Sequence, residues 1–153
     1  MADSKHPEDS SRDRMFEEIA EGQQDVSALD FSEQSILVRG CDPRMALRAA
    51  KIMPQQLGNP LFVSCTDDDD FISKLKEREW SVVFFAPGAC RYNAANMPIP
   101  GGRARTKGWG LVQYRVLVRE HQGKDIQIVE TTEEREIIPR LLQALFRSND
   151  TTQ

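Results

Sequence analysis

Between Ala86 and Lys107 the chain gathers residue types that hold anions. Arg91, Arg103, Arg105 and Lys107 supply positive charge, and Asn93 and Asn96 supply amides that could orient a ligand. Gly88, Gly101 and Gly102 let a backbone come close to a phosphate or carboxylate, whose geometry suits the planar fork of arginine. Cys90 is the only candidate nucleophile, because an early helical turn and the neighbouring Arg91 both lower a thiol pKa. No histidine and no Cys-x-x-Cys partner is placed to activate it. From Trp80 to Arg119 there is no Asp or Glu, while Arg91, Arg103, Arg105, Lys107, Arg115 and Arg119 give a local charge of +6. Arg115 and Arg119 fit equally well the solvated side of a surface element. The others fall in a Gly/Pro-rich loop, where binding residues concentrate, and a loop longer than ~12 residues is usually functional or disordered. The expectation is a site for an anionic small molecule bearing phosphate or carboxylate, of unspecified identity and with no cofactor indicated.

Other chemistries are weaker. Cys41, Cys65 and Cys90 each follow or close an apolar run, but structural zinc wants four ligands with paired spacing. His6 and His121 lie in the N-terminal arm and a surface turn, so no metal is expected. Cys65 reads as a buried small residue. Asp67–Asp70 open a helix, where the dipole already accounts for acidic side chains without magnesium. Val38-Arg39-Gly40-Cys41-Asp42-Pro43 has one glycine where a dinucleotide fingerprint needs three, and Asp42 would repel a pyrophosphate. No Walker sequence is present.

Two local resemblances exist. Phe85-Ala86-Pro87-Gly88-Ala89-Cys90-Arg91 is similar to the phosphate loop of low-molecular-weight tyrosine phosphatases, but Ala86 or Pro87 stands where that family needs its cysteine nucleophile. Phosphatase activity of that type is therefore excluded. Asn93-Ala94-Ala95-Asn96 followed by Pro100-Gly101-Gly102 resembles the Asn-Ala-Ala-Asn segment and glycine-rich loop of macro domains, which bind ADP-ribose. The resemblance implies Asn96 on the ribose and Gly101-Gly102 on the diphosphate. It covers about ten residues, Arg91-Tyr92 replaces the buried strand end of that family, and too little chain follows Gly102 to complete such a domain.

The elements that must position these residues follow one rhythm. Ser35–Arg39, Leu61–Cys65 and Ser81–Ala86 are short apolar runs, and the third should be buried on both faces. Asp42 and Pro43 open a helix with Met45, Ala46, Leu47, Ala49, Ala50, Ile52 and Met53, ending before Gly58. Thr66 is expected to cap a second helix, with Phe71, Ile72, Leu75 and Trp80 on its apolar side. Strand and helix alternating at this spacing predict βαβ units and a parallel sheet. Residues 108–121 support two readings. Val112, Tyr114, Val116 and Val118 alternate as in a strand, whose partner across Gln122-Gly123-Lys124 would be Ile126–Val129. The rhythm instead favours a helix ended by Gly123, with Ile126–Val129 as a fourth parallel strand, and we take the helix. A last helix carries Ile137, Ile138, Leu141, Leu142, Leu145 and Phe146, with Thr131 or Thr132 as cap and Pro139 marking a kink or its true first turn. The predicted fold is a three-layer α/β domain over 31–148, flavodoxin-like or Rossmann-like, with a four-stranded mainly parallel sheet of order 2-1-3-4. A C-terminal hairpin is the alternative to the last crossover.

The 153 residues, 39% hydrophobic and 29% charged, suit one soluble domain. No stretch approaches the eighteen apolar residues of a membrane span, and nothing resembles a signal peptide. An odd cysteine count points to a reducing, cytoplasmic setting. Residues 1–34 carry three bases against ten carboxylates, a net of -7, leaving +3 on the rest. Residues 1–30 read as an acidic, largely disordered arm, and 149–153 as a disordered tail. Within the arm, Met15, Phe16 and Ile19 suit a short helix stopped near Gly22, which could dock on the domain or engage a protein partner through residues 13–22. A protein-interaction module is therefore the second functional expectation. Nucleic-acid recognition through the basic loop is a third, opposed by a pI near 5.3 and by the lack of a known motif.

Overall fold

The computed structural model describes residues 29–90 and 99–151. Five residues of alternating orientation, Ser35–Arg39, form β1, and all five are buried. The chain then follows its local signals closely. Asp42 caps helix α1 (Pro43–Gln56), its carboxylate accepting from the Arg44 amide at 3.0 Å, with Pro43 at the first helical position. β2 (Leu61–Cys65) leads to α2 (Asp68–Glu77). The cap of α2 is Asp67, not Thr66: its carboxylate takes the Asp70 amide at 3.0 Å. A carboxylate both accepts that bond and meets the positive end of the helix, so it is the better cap.

β3 (Val82–Phe85) is buried along its whole length and runs into the short α3 (Pro87–Cys90). A 3₁₀ turn at Ala104–Thr106 precedes α4 (Leu111–Gln122). Gly123 ends α4 at φ +93°, its amide bonded to the Arg119 carbonyl at 2.8 Å. β4 (Gln127–Glu130), a second 3₁₀ turn and α5 (Ile137–Thr151) complete the described chain. Pro139 lies in the first turn of α5, where it disturbs no helical hydrogen bond. α5 continues past residue 148, because Ser148 follows Leu141, Ala144 and Leu145 onto the buried side of the helix.

All strands are parallel, in the order β2-β1-β3-β4. The reversal of direction after β2 explains where the helices lie. Crossovers of one hand must change faces when the chain changes direction along the sheet. Accordingly, Ile36, Val38, Val82 and Phe84 pack against Met53 of α1 and Ile138, Leu141 and Leu145 of α5. On the other face Leu37, Val83 and Phe85 pack against Phe71, Ile72 and Leu75 of α2 and Tyr114, Leu117 and Val118 of α4. At the amino ends of the strands, Gln122 joins α4 to the end of α2. It donates to the Leu75 and Arg78 carbonyls at 2.8 and 2.9 Å and accepts from the Trp80 amide at 2.6 Å. No helix among the described residues is long and apolar enough to cross a membrane.

Candidate functional site

In an open parallel sheet, ligands bind beyond the carboxyl ends of the strands where the order reverses, here between β1 and β3. β1 ends there in Arg39. Period-two alternation puts Arg39 on the same face as Leu37, beneath the loop that follows β3, and its side chain is fully buried. Its Nε donates to Asp68 Oδ1 at 2.9 Å, its Nη2 lies 2.8 Å from the same oxygen, and Nη2 also donates to the Pro100 carbonyl at 2.7 Å. Nη1 donates to the Gly40 carbonyl. Asp68, also fully buried, uses its second oxygen to accept from Thr106 Oγ1 at 2.6 Å and from the Tyr114 hydroxyl. One carboxylate therefore joins β1, α2, the loop and α4.

Burial, reinforced by the hydrogen bond to Asp68, raises the Tyr114 hydroxyl well above its ordinary range, so it stays a neutral donor. Thr106 completes the anchoring of the loop by accepting from the Arg103 amide at 3.0 Å. Gly101 has φ +86°, and a β-carbon there would lie 2.3 Å from the Thr66 carbonyl oxygen and 3.0 Å from Arg39 Nη2. Its carbonyl accepts from the Asp68 amide at 3.1 Å. Only glycine permits this approach of loop to helix. The close backbone approach expected at Gly101 is thus made first to the protein itself.

Of the expected anion-binding residues, Gly101, Gly102, Arg103, Arg105 and Lys107 sit on this anchored loop. Arg103 and Arg105 are exposed and face the acidic start of α2. Arg103 lies 3.3 Å from Asp69 and 3.8 Å from Asp67, and Arg105 lies 3.8 Å from Asp69. These pairs are half in solvent and contribute ~0–1 kcal/mol each. Lys107 is exposed and forms no ion pair with the described residues. Arg115, on α4, is held by both oxygens of Glu130 at 2.5 and 2.7 Å, so it belongs to the packing of α4 on β4. Arg91, Asn93 and Asn96, and with them the segment resembling macro domains, lie outside the described residues. Cys90 closes α3, and its side chain is likewise outside them.

Cys65 is 2% exposed among apolar side chains, and burial pushes its thiol up to about 12, which agrees with a buried small residue and not a nucleophile. Cys41 is half-buried and free. The acids at 67–70 divide into four roles. Asp67 caps, Asp68 is buried under the loop, Asp69 faces the arginines, and Asp70 pairs with Lys74 at 2.7 Å.

Reading the sequence missed Arg39, Asp68, Thr106 and Tyr114. For Arg39 there was one signal: a strand alternating in period two that ends on a charged residue on the inward side. For Asp68 there was none, since the helix dipole explains all four acids equally. Comparison with protein-family models, curated proteins and solved structures finds no match in any of the three. A doubly wound sheet serves many unrelated chemistries, so the function has to be argued from the site.

Proposed function

We propose that this domain binds a small molecule bearing phosphate or carboxylate at the loop after β3, beside the β1/β3 switch point. Arg103, Arg105 and Lys107 hold the anion, the Gly102 backbone allows close approach, and Arg91, Asn93 and Asn96 extend the contact. The observation that carries this reading is the anchoring. Three exposed cations flank a turn pinned from below by the buried Arg39–Asp68–Thr106–Tyr114 network. A pre-ordered cationic turn loses less conformational entropy on binding than a free one. The contacts of Arg103 and Arg105 with Asp69 are weak and solvated, so an incoming anion can replace them. Binding alone is proposed; no turnover step is assigned to Cys90.

A thermal-shift screen of nucleotides, sugar phosphates, carboxylates and oligonucleotides tests this. A discrete ligand at ~100 times its dissociation constant should stabilise the full chain by ~2.7 kcal/mol. That stabilisation should vanish in Arg103→Ala/Arg105→Ala. A response to oligonucleotides alone, steep in salt, would favour a polyanion surface and displace the small-ligand reading.

A further inference from the structure

The chain has two tryptophans, and the fold uses them differently. Trp80 is 6% exposed, and its indole N–H donates to the Lys74 carbonyl at 2.9 Å, as a buried tryptophan requires. Trp109 is only half-buried. Its indole N–H donates to no described residue, and that nitrogen reaches solvent. The ring packs edge-on with Tyr114, the centroids 5.3 Å apart at 81°. Among the described residues no cation lies over it, whereas the Arg78 guanidinium stands 5.4 Å from the Trp80 ring.

The backbone sets this indole beside the exposed cations. Thr106 to Trp109 form a type II turn. The Trp109 amide donates to the Thr106 carbonyl at 3.0 Å, Lys107 has φ -58° and ψ 128°, and Gly108 has φ +79°. A β-carbon on Gly108 would meet nothing within 4 Å, so the turn itself, and not lack of space, calls for glycine. The preceding turn is closed by the Thr106 amide on the Arg103 carbonyl, also at 3.0 Å. Arg103, Arg105, Lys107 and Trp109 therefore stand on two consecutive turns. Both ends of the second turn rest on one buried carboxylate oxygen. Thr106 donates to it directly, and so does Tyr114, the ring against which Trp109 packs. Cations and indole are thus held in place together before any ligand arrives, which lowers the ordering cost of binding.

On the basis of the anion site proposed above, we infer that its ligand is a mononucleotide, with the base against the solvent side of the Trp109 indole and the phosphate on Arg103, Arg105 and Lys107. An aromatic side chain is a stacking platform for any base, and a nucleotide joins a base to the anion that the loop attracts. A nucleic-acid strand needs a succession of such platforms, and this loop offers one.

Titration of the full chain with AMP, ribose 5-phosphate and pyrophosphate at constant ionic strength tests this, with melting temperature as the readout. AMP and ribose 5-phosphate carry the same phosphate, and only AMP has a base. AMP should half-saturate the native chain at a concentration about fivefold or more below that of ribose 5-phosphate. In Trp109→Leu, which keeps apolar packing on Tyr114 without an aromatic face, the two should become equal, and Trp109→Phe should keep most of the difference. AMP should also change the tryptophan emission of the native chain and leave that of Trp109→Phe, where Trp80 alone emits, unchanged. The emission and the native titrations do not depend on how well Trp109→Leu folds. Equal half-saturation in the native chain, an AMP advantage that survives in Trp109→Leu, or native emission indifferent to AMP would overturn the nucleotide assignment. The anion site would still stand in those cases if ribose 5-phosphate and pyrophosphate stabilise the chain. No response to any of the three compounds would remove the anion site, and the nucleotide with it.

Discussion

Asp68 receives two hydrogen bonds on one carboxylate oxygen and an arginine on the other, all out of water. Removing one partner of such a pair leaves the other charge buried and uncompensated, at a cost of ~3–5 kcal/mol. Asp68→Asn should therefore lower the unfolding free energy in urea by about that amount, although the amide keeps much of the shape. Tyr114→Phe removes a single donor and should lower it by about 1–3 kcal/mol. Equal losses in the two variants would show that the charge of Asp68 is unimportant. Cys65 gives a pH prediction. Its thiol is raised in the folded state from 9.0 to about 12, so the unfolded chain releases the proton first. Stability is then complete below about pH 9 and declines as pH rises toward 12. Tyr114, also raised, acts in the same direction. The melting temperature should fall across that window, and less steeply in Cys65→Ala. At pH 8, Cys65 of the folded chain should alkylate far more slowly than a thiol of ordinary pKa, as peptide mapping with iodoacetamide would record.

At the level of elements, the loop over residues 99–107 is seated by Gly101. Gly101→Ala meets both a positive φ and the Thr66 carbonyl at 2.3 Å, and should cost clearly more than Gly108→Ala, where φ is +79° but the space is open. The latter should cost only the ~1–2 kcal/mol of a left-handed alanine. Similar melting temperatures for the two variants would mean that the loop is not seated as described. The same elements show what a sequence can and cannot convey. The strands, the Asp42–Pro43 start of α1 and the Gly123 end of α4 depend on residues within a few positions, and so they could be read directly. For residues 111–122 the alternating valines offered a strand as the alternative to the helix expected and found there, and two of them, Val112 and Val116, are exposed on that helix. The helical signal lay in Tyr114, Leu117 and Val118, which share the buried face at three- and four-residue spacing. The Arg39–Asp68 pair joins positions 29 residues apart, and its partner Tyr114 lies 46 residues beyond Asp68. No local pattern carries that pairing, so Asp68 as the centre of the anchor was invisible, while the exposed arginines of the loop were not.

Charge makes the same point for the whole molecule. The stretch from Trp80 to Arg119 is basic in sequence, yet folding removes Arg115 to Glu130 and brings Asp67 and Asp69 across from α2 to face Arg103 and Arg105. The cationic loop is therefore partly neutralised, and on the proposed function Asp69 would compete with the anion for Arg103 and Arg105. This gives the account its most direct test. Pyrophosphate should be titrated at constant ionic strength into the full chain, into Arg103→Ala/Arg105→Ala and into Asp69→Asn, with melting temperature as the readout. The account predicts saturable stabilisation of the native chain, half-saturation at several-fold lower concentration in Asp69→Asn, and no response in the double alanine variant. Identical curves for all three proteins, or no stabilisation in any, would contradict an anion site on this loop.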